Sequence, residues 1–444
     1  MEENNNQQTN DNFLEPELIQ KIISEQGKSK NNKKAEDQKK KAPKVIFQIN
    51  GSFTLIDETG KEIENGEAQF ILDEEKLSLI LKNGKAFTFF LRDISDFFAQ
   101  DYKIYLSLSG GEKAVISNLG YQYDDFARVF SKLRQEIIKT ELLMEEKVRK
   151  SGLEGEYNYE ENGKRRFGKA EVEICDTGLI IKPEQGDLIR IPYSEIIEFK
   201  DENYQISIKT EFSFLILSHF GEKFDILDKV LKEAIAELSL KTQAILKEIL
   251  PELDPLSLQK AAELLKDGRA VEKNELDKIF SGIWQGLEKE LIKIGIKEYY
   301  DYLKALSKSD QIFIGIKRDL MGDLTGEYLW FLMPISSNKG ENFLVMEAGS
   351  TIESGGKATY LFKVPLGEEL NDLVKKFNRC MLEINFRREP IYLKEEDLEK
   401  PEYLKYKIAI SKIPELRLLR QLFVGRVIHT STQSWKENLD SFIS

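Results

Sequence analysis

Residues 66–84, GEAQFILDEEKLSLILKNG, and residues 168–186, GKAEVEICDTGLIIKPEQG, are the two stretches on which the fold turns. Laid over one another at an offset of 102, they match Gly66 with Gly168, Ala68 with Ala170, Leu77 with Leu179 and Gly84 with Gly186. The register holds outward through Ile94 and Ile196, Phe97 and Phe199, Tyr102 and Tyr204, and Ile104 and Ile206. One deletion at Gly110-Gly111 moves the offset to 101, after which Ser117 meets Ser218, Gly120 meets Gly221, Asp124 meets Asp225 and Val129 meets Val230. The matched positions are turn glycines, strand-interior apolar residues and a helix start, where backbone and core are constrained most tightly. Residues 45–150 and 151–248 therefore read as tandem copies of one fold.

Within the first copy, short runs rich in β-branched and aromatic residues predict strands at Ser52–Ile56, Ala68–Leu72, Lys76–Leu81, Ala86–Leu91, Lys103–Leu108 and Lys113–Ser117. Gly60, Gly66, Asn83-Gly84 and Gly110-Gly111 fall between or beside them, as hairpin turns require, so the copy reads as an antiparallel meander. One amphipathic helix follows, with Phe126, Val129, Phe130, Leu133 and Ile137 as its stripe, Asp124 as its expected cap and Ser151-Gly152 closing the segment.

Six or seven antiparallel strands followed by one helix, within about a hundred residues, resembles the pleckstrin-homology-like superfold, including GRAM-type domains. That resemblance covers both copies and implies a partly open barrel whose end is plugged by the terminal helix. It departs from pleckstrin-homology domains proper in lacking a tryptophan on the terminal helix: Trp284, Trp330 and Trp435 lie outside the repeats, and Phe126 and Leu227 take core positions instead. Fold likeness carries no ligand with it.

The expected class is α+β, with two tandem barrels, a helical connector over 249–308 and a C-terminal α+β domain over 309–444. In the connector, Asp254-Pro255 marks a helix start, Gly268 a break, and Leu276, Phe280, Trp284, Leu287 and Leu291 a second stripe. Strand texture returns at Ile312–Ile316, Glu327–Met333, Phe343–Met346 and Thr359–Val364, with a hairpin turn expected at Gly349–Gly356. A helix with Leu370, Leu373, Phe377, Cys380 and Ile384 follows, and then mainly helical chain with Pro401 and Pro414 as boundaries. A third, diverged barrel over 309–444 is an open alternative. Residues 1–44 read as a solvated tail: the lysines from Lys28 to Lys44 face only Glu36 and Asp37, while Leu18, Ile19, Ile22 and Ile23 recur at helical spacing.

Composition narrows function by exclusion. With 77 acidic against 65 basic residues the net charge is −12, which argues against bulk affinity for nucleic acid or an anionic membrane. Two cysteines, Cys175 and Cys380, exclude a disulfide scaffold. No apolar run reaches the roughly 18 residues of a membrane span, and the opening Met1-Glu-Glu-Asn-Asn-Asn lacks the pattern of a secretory leader, so a cytoplasmic location is expected. His219 and His429 are the only histidines, and no HExxH, GxSxG, Walker-A or GxGxxG element stands in the required context. No catalytic residue, metal site or cofactor is expected. Cys380, on the face of Phe377 and Ile384, reads as a small buried hydrophobe.

Two groups remain as candidate sites. Lys164, Arg165 and Arg166 follow the Asn162-Gly163 turn in the loop where phosphate-binding members of the resembling superfold gather basic side chains; the first copy has Asp57-Glu58-Thr59-Gly60-Lys61-Glu62 there. Arg417 and Arg420, three residues apart, with Arg426, His429 and Trp435 beyond them, form a second group suited to an acidic peptide or anion. The leading expectation is a non-enzymatic binding or scaffold protein whose barrels engage a protein partner. The alternatives are recognition of an anionic lipid headgroup or phosphorylated ligand by the second copy, with weak membrane-surface contact, and a carboxylate-based or metal-dependent enzyme in the C-terminal domain.

Overall fold

In the computed structural model, which describes residues 44–142, 146–307, 310–318, 327–337, 340–350 and 357–444, both repeats fold into seven-stranded antiparallel sheets. The first contains β1 (Phe47–Ile56), β2 (Glu62–Leu72), β3 (Lys76–Leu81), β4 (Ala86–Phe90), β5 (Ile94–Gln100), β6 (Lys103–Leu108) and β7 (Lys113–Ser117). The second contains β8 (Val148–Glu161), β9 (Lys164–Cys175), β10 (Gly178–Pro183), β11 (Ile189–Pro192), β12 (Ile196–Glu202), β13 (Gln205–Thr210) and β14 (Ser213–Ser218). Their strand orders, β4-β3-β2-β1-β7-β6-β5 and β11-β10-β9-β8-β14-β13-β12, are the same, so in each the first strand pairs with the last and curls the sheet into a half-barrel. Each is followed by a helix, α1 (Tyr123–Glu141) and α2 (Phe224–Ile249).

Pairing reproduces the offsets of the repeat. Ile104 lies opposite Ile116 and Ile206 opposite Leu217, so the offset falls by one across the β6–β7 turn. The helix stripes fill the half-barrels: Phe126 and Phe130 pack with Phe70, Leu77 and Leu79, and Leu227 and Leu231 with Val172, Leu179 and Ile181. Each such side chain contributes on the order of 2 kcal/mol of burial. Two glycines are dictated by packing: a Cβ on Gly51 would lie 2.8 Å from Leu119, and one on Gly155 2.6 Å from the Phe220 ring. Three details differ from expectation. β5 and its counterpart β12 are strands where none was assigned, because exposed polar positions interrupt their alternation. A 3₁₀ turn at Gly120–Gln122 starts the helix at Tyr123, so Asp124 sits in the first turn and does not cap it. Ser151-Gly152 lies inside β8, at an irregularity between Lys150 and Leu153, and does not end a segment.

The chain divides into two compact units, one running to Ile137 and taking in Gln185–Asp187, the other formed by Ile138–Glu184 and Leu188–Ser444. Inside the first, Arg134 of α1 is fully buried and clasps Asp187, Nε to Oδ1 at 2.6 Å and Nη2 to Oδ2 at 2.8 Å, while Nη1 donates to the Leu91 carbonyl at 2.6 Å. Such a bidentate pair satisfies both charges where neither meets water.

In the second unit, α3 (Pro255–Leu265), α4 (Lys273–Ile279), α5 (Gly282–Ile294) and α6 (Lys297–Leu306) form one layer on a third sheet. Asp254 caps α3 as expected, accepting from the Leu256 and Ser257 amides. The sheet contains β15 (Val271–Glu272), β16 (Phe313–Arg318), β17 (Glu327–Ser336), β18 (Asn342–Ser350), β19 (Ala358–Lys363) and β20 (Phe423–Ile428), in chain order and without the first-to-last pairing of the half-barrels. Trp284, Leu287, Leu291 and Tyr300 pack with Leu329, Phe331 and Val345 on one face. On the other, α7 (Leu370–Glu383) sets Phe377 4.8 Å from Phe362. Short helices follow, α8 (Glu389–Tyr392), α9 (Glu395–Leu398), α10 (Leu404–Lys412) and α11 (Pro414–Leu422), and α12 (Thr432–Ile443) comes after β20. The described residues of 249–308 are thus mainly helical, β15 apart, but act as a packed layer. Of the tail expected over 1–44, residues 1–43 lie outside the described residues; of the turn expected over Gly349–Gly356, the first two residues belong to β18 and residues 351–356 lie outside the described residues. No helix among those described is long and apolar enough to cross a membrane.

Candidate binding surface at the mouth of the second half-barrel

The β8–β9 hairpin turns on two residues, Asn162 and Gly163, both with left-handed φ (50° and 73°). That geometry matches the twist of the flanking strands and makes Glu161 face Lys164, Glu160 face Arg165, and Tyr159 face Arg166. Lys164, Arg165 and Arg166 are all exposed, beside Phe167, itself 74% exposed. Successive strand residues point to opposite faces. Arg165 accordingly donates to Asn158 Oδ1 at 2.8 Å, while Arg166 lies 5.1 Å from the Tyr159 ring. The three cations are brought to one hairpin tip, but only Lys164 and Arg166 share a face.

That same tip meets α7. Arg379 pairs with Glu161, lies 3.4 Å from Glu415 of α11 and 3.9 Å from Glu195, and sits 4.5 Å over the Phe212 ring in the β13–β14 turn. Farther along the contact, Arg190 of β11 donates through Nε to Glu146 at 2.8 Å and approaches Glu383, at the end of α7, at 3.8 Å. Arg269 adds a third cation, donating to the Ser194 carbonyl at 2.9 Å and Glu211 at 2.6 Å. Burial pushes the Glu195 carboxyl up to about 8 although Arg379 pulls it down, and burial likewise raises Glu383 against Arg190 and Arg379. Glu146 is also buried, yet the charge and hydrogen bond of Arg190 carry it below the usual carboxylate range. The β8–β9 tip, the β13–β14 turn and the Ser194–Glu195 segment of the second half-barrel are therefore engaged by Arg379 and Arg269 from later in the same chain.

The second predicted group is divided: Arg420 and Arg426 both meet the segment around α8, His429 and Trp435 meet each other, and Arg417 lies apart. Arg417 donates to the carbonyls of Ile410 and Ser411 at the end of α10. Arg420 bonds the Pro390 and Leu393 carbonyls, each at 2.8 Å, and Glu395 at 2.7 Å. Arg426 stacks 3.8 Å over Tyr392. His429 and Trp435 instead join a buried cluster. Trp435 Nε1 donates to Thr359 Oγ1 at 2.8 Å, Thr359 donates to Glu347 Oε2 at 2.5 Å, and His429 Nε2 lies 3.1 Å from Glu347 Oε1, under the stacked ring of Tyr299. Burial raises Glu347, with His429 opposing. Hydroxyl and carboxylate both meet Nε2, whereas a nucleophile relay places them on opposite ring nitrogens; this cluster ties β18, β19 and α12 together. His219 sits exposed at a left-handed turn, φ 60°, against Ser218 at 3.0 Å. Cys175 and Cys380 are buried free thiols, their pKa values raised by burial.

Arg379, Glu195, Arg190, Glu146, Glu383, Arg269 and Glu211 were not singled out by sequence reasoning. The one local signal is Glu383, three residues after Cys380 on an otherwise apolar stripe. No protein-family model matches the chain, and no curated protein matches it in sequence.

Proposed function

We propose that the chain is a non-enzymatic intracellular binding or scaffold protein, with two pleckstrin-homology-like half-barrels of which the first engages a protein partner. The observation that carries this reading is a difference between the copies. On edge strand β5, Phe98 is 47% exposed and stacks on Tyr105 at 4.6 Å; the second copy has Lys200 and Ser207 in those register positions. Exposed aromatics on a strand edge are the usual anchors for a docked segment, and the charged residues on β12 discourage the same contact. The second half-barrel supports the reading from within: it already holds a helix of its own chain through arginine anchors. Capture from native lysate tests it, with full-length chain compared with Phe98→Lys, the residue the other copy carries. A partner retained by the parent and lost by the variant is expected; the same proteins on both would refute it.

Recognition of an anionic headgroup or phosphorylated ligand remains a second reading. It is favoured by the exposure of Lys164 and Arg166 on one face while Glu161, across from Lys164, is engaged by Arg379.

A further inference from the structure

We propose that the contact between α7 and the second half-barrel is a pH-sensitive latch, closed at neutral pH and below and loosening as the solution becomes alkaline. The imbalance of charge carries the inference. Five carboxylates, of Glu146, Glu161, Glu195, Glu383 and Glu415, meet two guanidiniums, of Arg190 and Arg379. Fully ionised, the contact would hold more negative than positive charge, with the Glu195 and Glu383 carboxylates kept from water and no nearer than 3.8 Å to a guanidinium, so it closes best while these two retain protons.

Glu195 is the centre of the latch. Its Oε1 is buried without a hydrogen-bond partner, and its nearest cation is the Arg379 Nε at 3.9 Å. The charges around it are Arg379 and Glu383 from α7, Arg190 from β11, and Glu211 with its partner Arg269; Arg379 in turn meets Glu161 and Glu415, Arg190 feels Asp267, itself paired with Lys317, and Lys266 bonds the neighbouring Ile196 carbonyl. Because the native carboxyl titrates above its ordinary value, the closed contact is favoured below that ordinary value and loses stability as pH rises through about 8. Withdrawal of α7 hydrates Glu195 and Glu383 together and uncovers Phe212 and the Glu161 carboxylate.

Amide hydrogen exchange on the full chain tests this, with α2 as internal reference for the intrinsic pH dependence. Between pH 7 and pH 9, protection of α7 is expected to fall relative to α2 by roughly tenfold, and Glu195→Gln should remove that fall while keeping protection at pH 6.5. Glu383→Gln serves as an independent variant if the first folds poorly, and should shrink the fall. Parallel protection of α7 and α2 across the range, or an undiminished fall in both variants, would overturn the latch.

Discussion

Replacing Arg379 with methionine removes the one cation shared by Glu161, Glu195 and Glu415 while keeping an apolar stem beside Cys380. Breaking a buried ion pair from one side costs about 3–5 kcal/mol. Glu161 is 23% exposed and rehydrates, which lowers the figure; loss of the contact with Phe212 adds about 1 kcal/mol. A loss of about 3 kcal/mol at pH 7 is the result. Its pH dependence has a definite sign. Arg379 pulls the Glu195 carboxyl down, so without it the native carboxyl rises further, and the native state loses stability over a wider window as pH increases. Urea unfolding followed by tryptophan fluorescence suits the measurement, since Trp284, Trp330 and Trp435 all lie in the second unit. The variant should lose more stability at pH 8.5 than at pH 5.5. A loss below about 1 kcal/mol at pH 8.5, or a larger loss at pH 5.5, would refute the reasoning.

Arg134→Ala strands Asp187 in the interior of the first unit and should cost about 3–5 kcal/mol, read as a shifted urea midpoint; a near-neutral result would mean that Asp187 rehydrates freely. His429→Gln should destabilise by about 2 kcal/mol, by an amount that grows as pH rises, because His429 opposes the rise that burial imposes on the Glu347 carboxyl; a loss that does not change with pH would contradict the buried clasp. Joint alanine substitution of Lys164, Arg165 and Arg166 tests the anionic-headgroup reading by flotation with vesicles containing phosphatidylserine: salt-sensitive binding lost in the variant supports it, unchanged binding rejects it.

The tandem half-barrels were legible because their constraints are local. Gly66 and Gly168 shape strands, Asn162-Gly163 sets a two-residue turn, and the helix stripes at Phe126 and Leu227 recur at helical spacing. Edge strands were harder to read: Asp96 and Gln100 in β5, and Glu198, Lys200 and Glu202 in β12, face solvent where a buried strand would alternate cleanly. β20 falls in a stretch expected to be mainly helical; it is six residues long, lies between helices and contains Gly425, whose face is covered by Phe442. The charged mouth was illegible for another reason. Arg379 meets Glu161 across more than two hundred residues of chain, and no spacing rule links them; the basic hairpin at Lys164 was visible because its residues are contiguous, while Arg379 and Arg269 reach the half-barrel from distant parts of the chain.

The central claim, that the first half-barrel presents Phe98 to a protein partner, is tested most directly by a photoreactive benzophenone side chain at position 98 of the full-length chain in cells, with position 204 as control. Tyr204 is 76% exposed in the second half-barrel. A discrete protein adduct from position 98 and none from position 204 is the predicted result; no adduct from position 98, or the same adducts from both, would contradict it.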